Sequence, residues 1–252
     1  LISYKHKCNI ENINILTSDF RRTMKIKECC EKLVDLREEC PDVSFEIANY
    51  LNQGGDKPTE AEDAHFVRST VATMINNAQA ALPQGLKLLV RCGYRTPDVQ
   101  ARQYKKDYAA LRSENPTWNT DKLDLEIIKR TDPPDIGPHC TGGAIDLSIS
   151  DENGYQLDMG APMGAFNLDN YTYSDTISSD VEANRQILIS TMTNAGFLNF
   201  PAEWWHWSYV DREWAFAHDQ DAFYGAVEQR FDELQYSYQE TSNLSPATSG
   251  AF

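Results

Sequence analysis

The segment Gly137-Pro138-His139-Cys140-Thr141-Gly142-Gly143-Ala144-Ile145-Asp146-Leu147-Ser148-Ile149 constrains the fold more than any other stretch. From Ala144 to Ile149 it alternates as a strand does, with successive side chains on opposite faces. Ile145, Leu147 and Ile149 share the face turned to the core, and Ala144, Asp146 and Ser148 take the other. A carboxylate on so apolar a strand is buried or half-buried and needs a cation or metal as partner. Gly142 and Gly143 let the preceding loop fold back closely, so that His139 reaches the same point as Asp146.

A second dense segment is Glu203-Trp204-Trp205-His206-Trp207. A glutamate and a histidine three apart cannot share one face of a regular strand. A bend or single helical turn ahead of the strand brings them together, and the tryptophans exclude water and stiffen the surroundings. Of the five histidines, at 6, 65, 139, 206 and 218, only His139 and His206 lie in such segments.

Two histidines and one carboxylate, His139, Asp146 and His206, leave the fourth position of a zinc ion open to water, the catalytic arrangement rather than the closed structural one. Zinc lowers the pKa of that water. An uncoordinated carboxylate is then needed to take its proton and pass it to a leaving amine, and Glu203 suits that task. A developing oxyanion calls for a fixed cation, and Arg95, in a turn directly after a strand, is the candidate.

Around these segments the pattern reads as helices first and strands later. Ile26, Cys29, Leu33, Leu36 and Cys40 predict an amphipathic helix over 20–40, a peripheral N-terminal helical region. Phe45 to Leu51 reads as a short strand, and Gln53 to Pro58 as a loop. Val67, Val71, Met74, Ala78 and Leu82 stripe a helix over about 61–80, and Leu86 to Val90 reads as a buried strand. A helix from Asp98 to about Leu111 follows Pro97, and a short one covers Leu123 to Lys129. Asp151-Glu152-Asn153-Gly154 is a hairpin-type turn, a long loop covers 158–178, and a helix over 180–194 is capped by Gly196. Trp205 to Val210 forms the last strand. Hairpins rather than repeated βαβ units point to an α+β chain, a single domain over 1–252 with a central, mostly antiparallel sheet flanked by helices.

Composition narrows the classes. The 252 residues suffice for one substantial core. A formal charge of -15 argues against nucleic acid and anionic lipid as partners. No stretch approaches the roughly 18 apolar residues of a membrane span. Six cysteines, at 8, 29, 30, 40, 92 and 140, contain no CxxC pair, which argues against a structural zinc knuckle. Cys140 is given no direct chemical role despite its neighbour His139. Adjacent Cys29 and Cys30 fit a reduced compartment.

Taken together, these segments resemble the zinc D-alanyl-D-alanine dipeptidases, relatives of the vancomycin-resistance dipeptidase and of the zinc D,D-carboxypeptidases that share the hedgehog-type fold. The resemblance rests on His139 and Asp146 in a Gly-Ala-x-Asp-Leu context, Glu203 to His206, and Tyr94-Arg95 after a strand. Supporting matches are Asp158-Met159-Gly160, Asn184-Arg185, Gly196-Phe197, Asp211-Arg212 and Tyr224-Gly225, with a weaker echo near Phe45 to Tyr50. It implies one zinc on His139, Asp146 and His206, Glu203 as general base and acid, and Arg95 as stabiliser of the tetrahedral intermediate. Tyr94, Trp205 and Asn167 are the expected substrate contacts, the substrate a small D-amino-acid peptide, and the location cytoplasmic, with periplasmic or secreted as the alternative. Two positions depart from the pattern: Gly137 stands where the family has Ser, and Gly164 or Asn167 where the dipeptidases have an Asp that holds the substrate's ammonium. That loss keeps a D,D- or L,D-carboxypeptidase acting on peptidoglycan stem peptides in view, beside a zinc-stabilised binding module without catalysis.

Overall fold

The alternating run around Asp146 becomes the middle of a sheet. The computed structural model describes residues 17–47 and 58–228. In chain order it contains α1 (Ser18–Thr23), β1 (Leu33–Asp35), α2 (Leu36–Glu39), β2 (Ser44–Phe45), α3 (Pro58–Asp63), β3 (Phe66–Arg68), α4 (Ser69–Ala81) and β4 (Lys87–Cys92). There follow α5 (Pro97–Glu114), α6 (Thr120–Ile127), a 3-10 turn (Pro138–Thr141), β5 (Ala144–Ser150), a second 3-10 turn (Leu168–Asn170), α7 (Ser179–Asn194), β6 (Leu198–Asn199), β7 (His206–Ser208) and α8 (Arg212–His218). The main sheet runs β2-β4-β5-β7-β6, with only β2 and β4 parallel, and β1 pairs with β3 apart from it. The architecture is α+β with a mostly antiparallel sheet, as the hairpin pattern predicts.

One face of this sheet carries the core. Leu88 and Val90 of β4, Ile145, Leu147 and Ile149 of β5 and Trp207 of β7 pack against Val71, Met74, Ile75 and Ala78 of α4 and Leu188, Ile189 and Met192 of α7. Burial of a large apolar side chain contributes about 1.5–3 kcal/mol, so this layer dominates the cohesion of the fold. The opposite face carries Asp146, half-buried with 14% of its side chain exposed, and is left for chemistry.

The helices follow local signals. Thr96 caps α5, accepting from Val99 N, with Pro97 at its first turn. Ser178 caps α7, and Gly196 follows it at φ 101°. Two expectations fail. The helix expected over 20–40 is replaced by α1, an extended stretch, β1 and the single turn α2. Leu33, Leu36 and Cys40 do reach the core, so the three-four spacing is real, but tertiary demands set the backbone. Arg68 is fully buried and a buried guanidinium must be paired. The extended segment supplies the Glu28 carboxylate at 3.1 Å and the Glu31 carbonyl, while the Glu31 side chain receives Ser69 Oγ at 2.7 Å at the start of α4. Nor is the segment peripheral, since Arg21, Leu36 and Cys40 are buried. Likewise the helix expected over 61–80 begins only at Ser69, because Phe66 to Arg68 pair with β1 as a strand.

The expected strand over Phe45 to Leu51 is seen as Ser44–Phe45, and its end, the Gln53 to Pro58 loop up to 57, and the echo at Asn49 and Tyr50 fall outside the described residues. Among the described residues no helix is long and apolar enough to cross a membrane.

Candidate active site

The sheet itself aligns the site. Asp146 sits opposite Cys92 on β4 and opposite His206 on β7, so the register makes a row Cys92–Asp146–His206 across three strands. Cys92 joins this row only because the β4–β5 register shifts between Val90 and Cys92. Val90 faces Leu147 in the core, and the extra residue of the bulge turns Cys92 to the opposite face.

His139 descends from the 3-10 turn that precedes β5. Gly142 ends that turn in the left-handed region at φ 70°. The imidazole Nδ1 lies 2.7 Å from the carbonyl of Gly93. That contact fixes Nδ1 as the protonated nitrogen and leaves Nε2 toward Asp146, at 3.2 Å from its Oδ1. The same oxygen lies 2.9 Å from His206 Nδ1. A side chain at 93 is impossible: a Cβ there would lie 2.4 Å from the carbonyl oxygen of Phe66. Glu203 stands one turn before β7, as the three-residue spacing requires. His206 N–H donates to its carbonyl at 3.2 Å, and its Oε2 lies 4.0 Å from His206 Nδ1.

Ligand-type atoms of Cys92, His139 and Asp146 lie within 4.8 Å of one another, as do those of Asp146, Glu203 and His206. Their charges are perturbed accordingly. Burial opposes ionisation of Asp146, but His139 and His206 outweigh it and hold the carboxyl well below its usual range. Burial alone would lower His139; Asp146 and Cys92 instead raise it to about 10. Glu203 is pushed well above its usual value by burial and by the Asp146 charge. Burial raises the Cys92 thiol, yet His139 and Arg95 bring it below its usual value. The raised His139 and Glu203 hold protons, and so positive charge, in the cluster, and the lowered Asp146 and Cys92 are the anions that face it. The donor set, two imidazoles and a half-buried carboxylate with one imidazole oriented through its far nitrogen, fits a divalent metal.

The cluster opens into a cavity of about 460 Å³, within the range of small-ligand sites. Arg95, Trp205, Phe200, Met163 and Phe166 line it with Glu203, His139, Asp146 and His206. Arg95 is oriented by Gln100, whose Oε1 accepts from Nη1 at 2.8 Å. Gln100 is itself pinned through Nε2 to the carbonyl of Asp132 at 2.7 Å. If Arg95 serves the chemistry, replacing Gln100 with Ala lowers kcat about tenfold, because misplacing such a group by a fraction of an ångström is costly. Unchanged steady-state kinetics in that variant would show that Arg95 is positioned by other contacts.

Two expected substrate contacts do not reach the cavity. Tyr94 is buried on the other side, its hydroxyl donating to the carbonyl of Val227 at 2.5 Å among Leu33 and Phe66. Asn167 caps the 3-10 turn at Leu168–Asn170, accepting from Asp169 N. Gly164, the other candidate for the missing Asp, does line the cavity. Residues that the sequence did not single out also line it: Cys92, Gln100, Asp107, Asp132 and Glu213. Asp132 and Glu213 are both held by the buried Arg21, a pairing across the chain that no local pattern announces. Cys140 is buried with its thiol pushed up to about 12 by desolvation, consistent with an inert core residue.

A buried imidazole–carboxylate cluster at the floor of a small-ligand cavity is the architecture of a metal-dependent hydrolase. Residues 30–233 match the family described as D-ala-D-ala dipeptidase, and the chain belongs to that family of metallopeptidases. It is similar to the D-alanyl-D-alanine dipeptidase of Escherichia coli K12, with 26% identity over 69% of this chain and 83% of that one. The Enterococcus faecium enzyme of the same name is 28% identical over 60% of this chain and 77% of that one. The Synechocystis enzyme of that name is 34% identical over 40% of this chain, a match spanning only 48% of the relative's length. A solved LD-carboxypeptidase, LdcB, aligns at TM-score 0.38 and 19% identity over 77% of this chain and 76% of that one, a likeness too loose to bear on function.

Proposed function

We propose that this chain is a zinc-dependent dipeptidase that cleaves D-alanyl-D-alanine, with His139, Asp146 and His206 holding the metal. The observation that carries the reading is the convergence of both imidazoles on one carboxylate oxygen, Asp146 Oδ1, at 3.2 and 2.9 Å, with Glu203 beside them. The relatives named D-alanyl-D-alanine dipeptidase supply the substrate.

When bound, zinc supplies Lewis acidity and makes water a competent nucleophile near neutral pH. The protein's residues do the rest. Glu203, desolvated and holding a proton readily, takes the proton of the attacking water and delivers it to the leaving amine. Arg95, aimed into the cavity by Gln100, faces the negative charge that develops on the carbonyl oxygen. Trp205 and Phe200 shield the reacting groups from bulk water. The Gly93 carbonyl holds a proton on His139 Nδ1 and so makes Nε2 the nitrogen that would face the metal.

A dipeptidase must also pair the substrate's free ammonium, since an unpaired buried charge is too costly to leave. With Gly at 164 and Asn167 turned away, the carboxylate falls to another wall residue. Asp107, 9% exposed and oriented by Gln103 Nε2 at 2.7 Å, supports that role. The test compares kcat/KM for free D-Ala-D-Ala with that for the dipeptide blocked at its amino group. Free dipeptide is expected to be strongly preferred. Equal or faster hydrolysis of the blocked compound would replace the dipeptidase reading with that of a carboxypeptidase acting on longer peptides.

A further inference from the structure

Among the groups around the cavity, one with strong metal chemistry has no part in the mechanism above: the thiol of Cys92. We propose that Cys92 is a fourth protein ligand at this site, so that the chain can close its metal within a His, His, Asp, Cys set. The inference rests on the reading of His139, Asp146 and His206 as ligands and adds a residue to it.

Strand register places the thiol beside the ligand cluster. Asp146 is the middle of a three-strand row, and Cys92 occupies on one side the place that His206 occupies on the other. Directly opposed residues of adjacent strands have Cβ atoms about 4.5–5.5 Å apart, close enough for short side chains to share one ion. The bulge at Arg91 is what puts Cys92 there, since unbroken alternation would place it beside Val90 in the core. Its Sγ forms a group within 4.8 Å with His139 and Asp146 ligand atoms. Cys40 and Cys140 are buried to the same degree, yet neither joins such a group among the described residues. The Arg95 guanidinium lies 3.8 Å from Sγ, on the cavity side of the thiol.

Coordination by Cys92 breaks the S–H bond, sends the proton to solvent and forms an S–metal bond, with no electron transferred. With sulfur bound, four protein ligands close the site in the structural manner; with sulfur released, the fourth position is open for water. A thiolate also biases the site toward soft, thiophilic divalent ions over hard ones.

The experiment loads the full-length apoprotein with Co2+ and records its absorption. Visible d–d bands report a metal in a low-coordinate protein site; a near-ultraviolet thiolate-to-cobalt charge-transfer band reports sulfur in that site. Both are expected in the native protein. Cys92→Ser should keep the d–d bands and lose the charge-transfer band, and Cys92→Ala serves the same purpose if Ser is not tolerated. In the same variant Cd2+ affinity, measured by chelator competition, should fall on the order of tenfold. Visible bands without a charge-transfer band in the native protein would overturn the role of Cys92 and leave the His–Asp–His reading standing. A charge-transfer band that survives in both variants would assign the sulfur to another cysteine and likewise overturn it. Absence of both bands in the native protein would overturn the ligand reading and this inference together.

Discussion

Glu203→Gln is expected to leave the metal content of the protein unchanged and to lower kcat on D-Ala-D-Ala by about 10²–10⁴, the usual contribution of a positioned acid–base group. Gln has the shape of Glu and fills the same buried space, so loss of turnover cannot be ascribed to a cavity. It cannot take up and give back a proton. Glu203 is suited to that exchange because burial and the neighbouring Asp146 charge both oppose its ionisation and so raise its affinity for a proton. Its Oε2 stays 4.0 Å from His206, near the ligand cluster yet outside hydrogen-bonding range of it. Metal analysis and steady-state kinetics on the same preparation decide the matter. A Gln variant with native kcat would remove Glu203 from the chemistry. A native protein that binds metal and hydrolyses no peptide at all would favour the non-catalytic binding module.

Much of this arrangement is written locally in the chain, and the rest is not, for reasons that differ from residue to residue. Strand β5 is legible because alternation of apolar residues is a two-residue signal, and the core does take Ile145, Leu147 and Ile149. His139, Asp146, Glu203 and His206 stand out because their segments bring glycines, a misplaced carboxylate and aromatic residues together, and the structure sets His139 on one side of Asp146 and Glu203 with His206 on the other. Cys92 is hidden by the same alternation that reveals Asp146: period two assigns it to the core with Val90, and only the bulge reverses it. The Arg21 pairs with Asp132 and Glu213 join positions more than a hundred residues apart, and no window of sequence carries that information. The segment from 20 to 40 misleads in the other direction. Its spacing satisfies a helix, but Leu33 to Asp35 pair with β3 and the Glu31 carbonyl is given to Arg68, so the backbone hydrogen bonds of this segment go elsewhere. Tyr94 shows that neighbours in sequence need not share a task. Arg95 turns to the cavity, and Tyr94 turns away to Val227.

Arg95→Ala is expected to depress kcat by about 10²–10³ with metal content unchanged, the typical loss when one donor to a developing oxyanion is removed. The structure supplies the preorganisation that such an effect needs. The backbone N–H of Arg95 donates to the His139 carbonyl at 3.2 Å, which couples the turn bearing the cation to the turn bearing an imidazole. Gln100 then fixes the guanidinium itself, at 2.8 Å through Nη1. A cation held in this way needs little reorganisation as charge builds on the substrate, so its benefit is greater in the transition state than in the bound ground state. The kinetic split tests that distinction. If Arg95 acts on the transition state, kcat and kcat/KM fall together; if it only anchors the substrate's carboxylate, KM rises and kcat holds. Arg95→Lys sharpens the result. Lysine keeps the charge but loses the planar fork that meets Gln100 and an oxyanion at once, so it should recover only part of the lost rate. Full recovery with Lys would show that charge alone matters here, and an Ala variant with native kcat would show that Arg95 serves binding rather than chemistry.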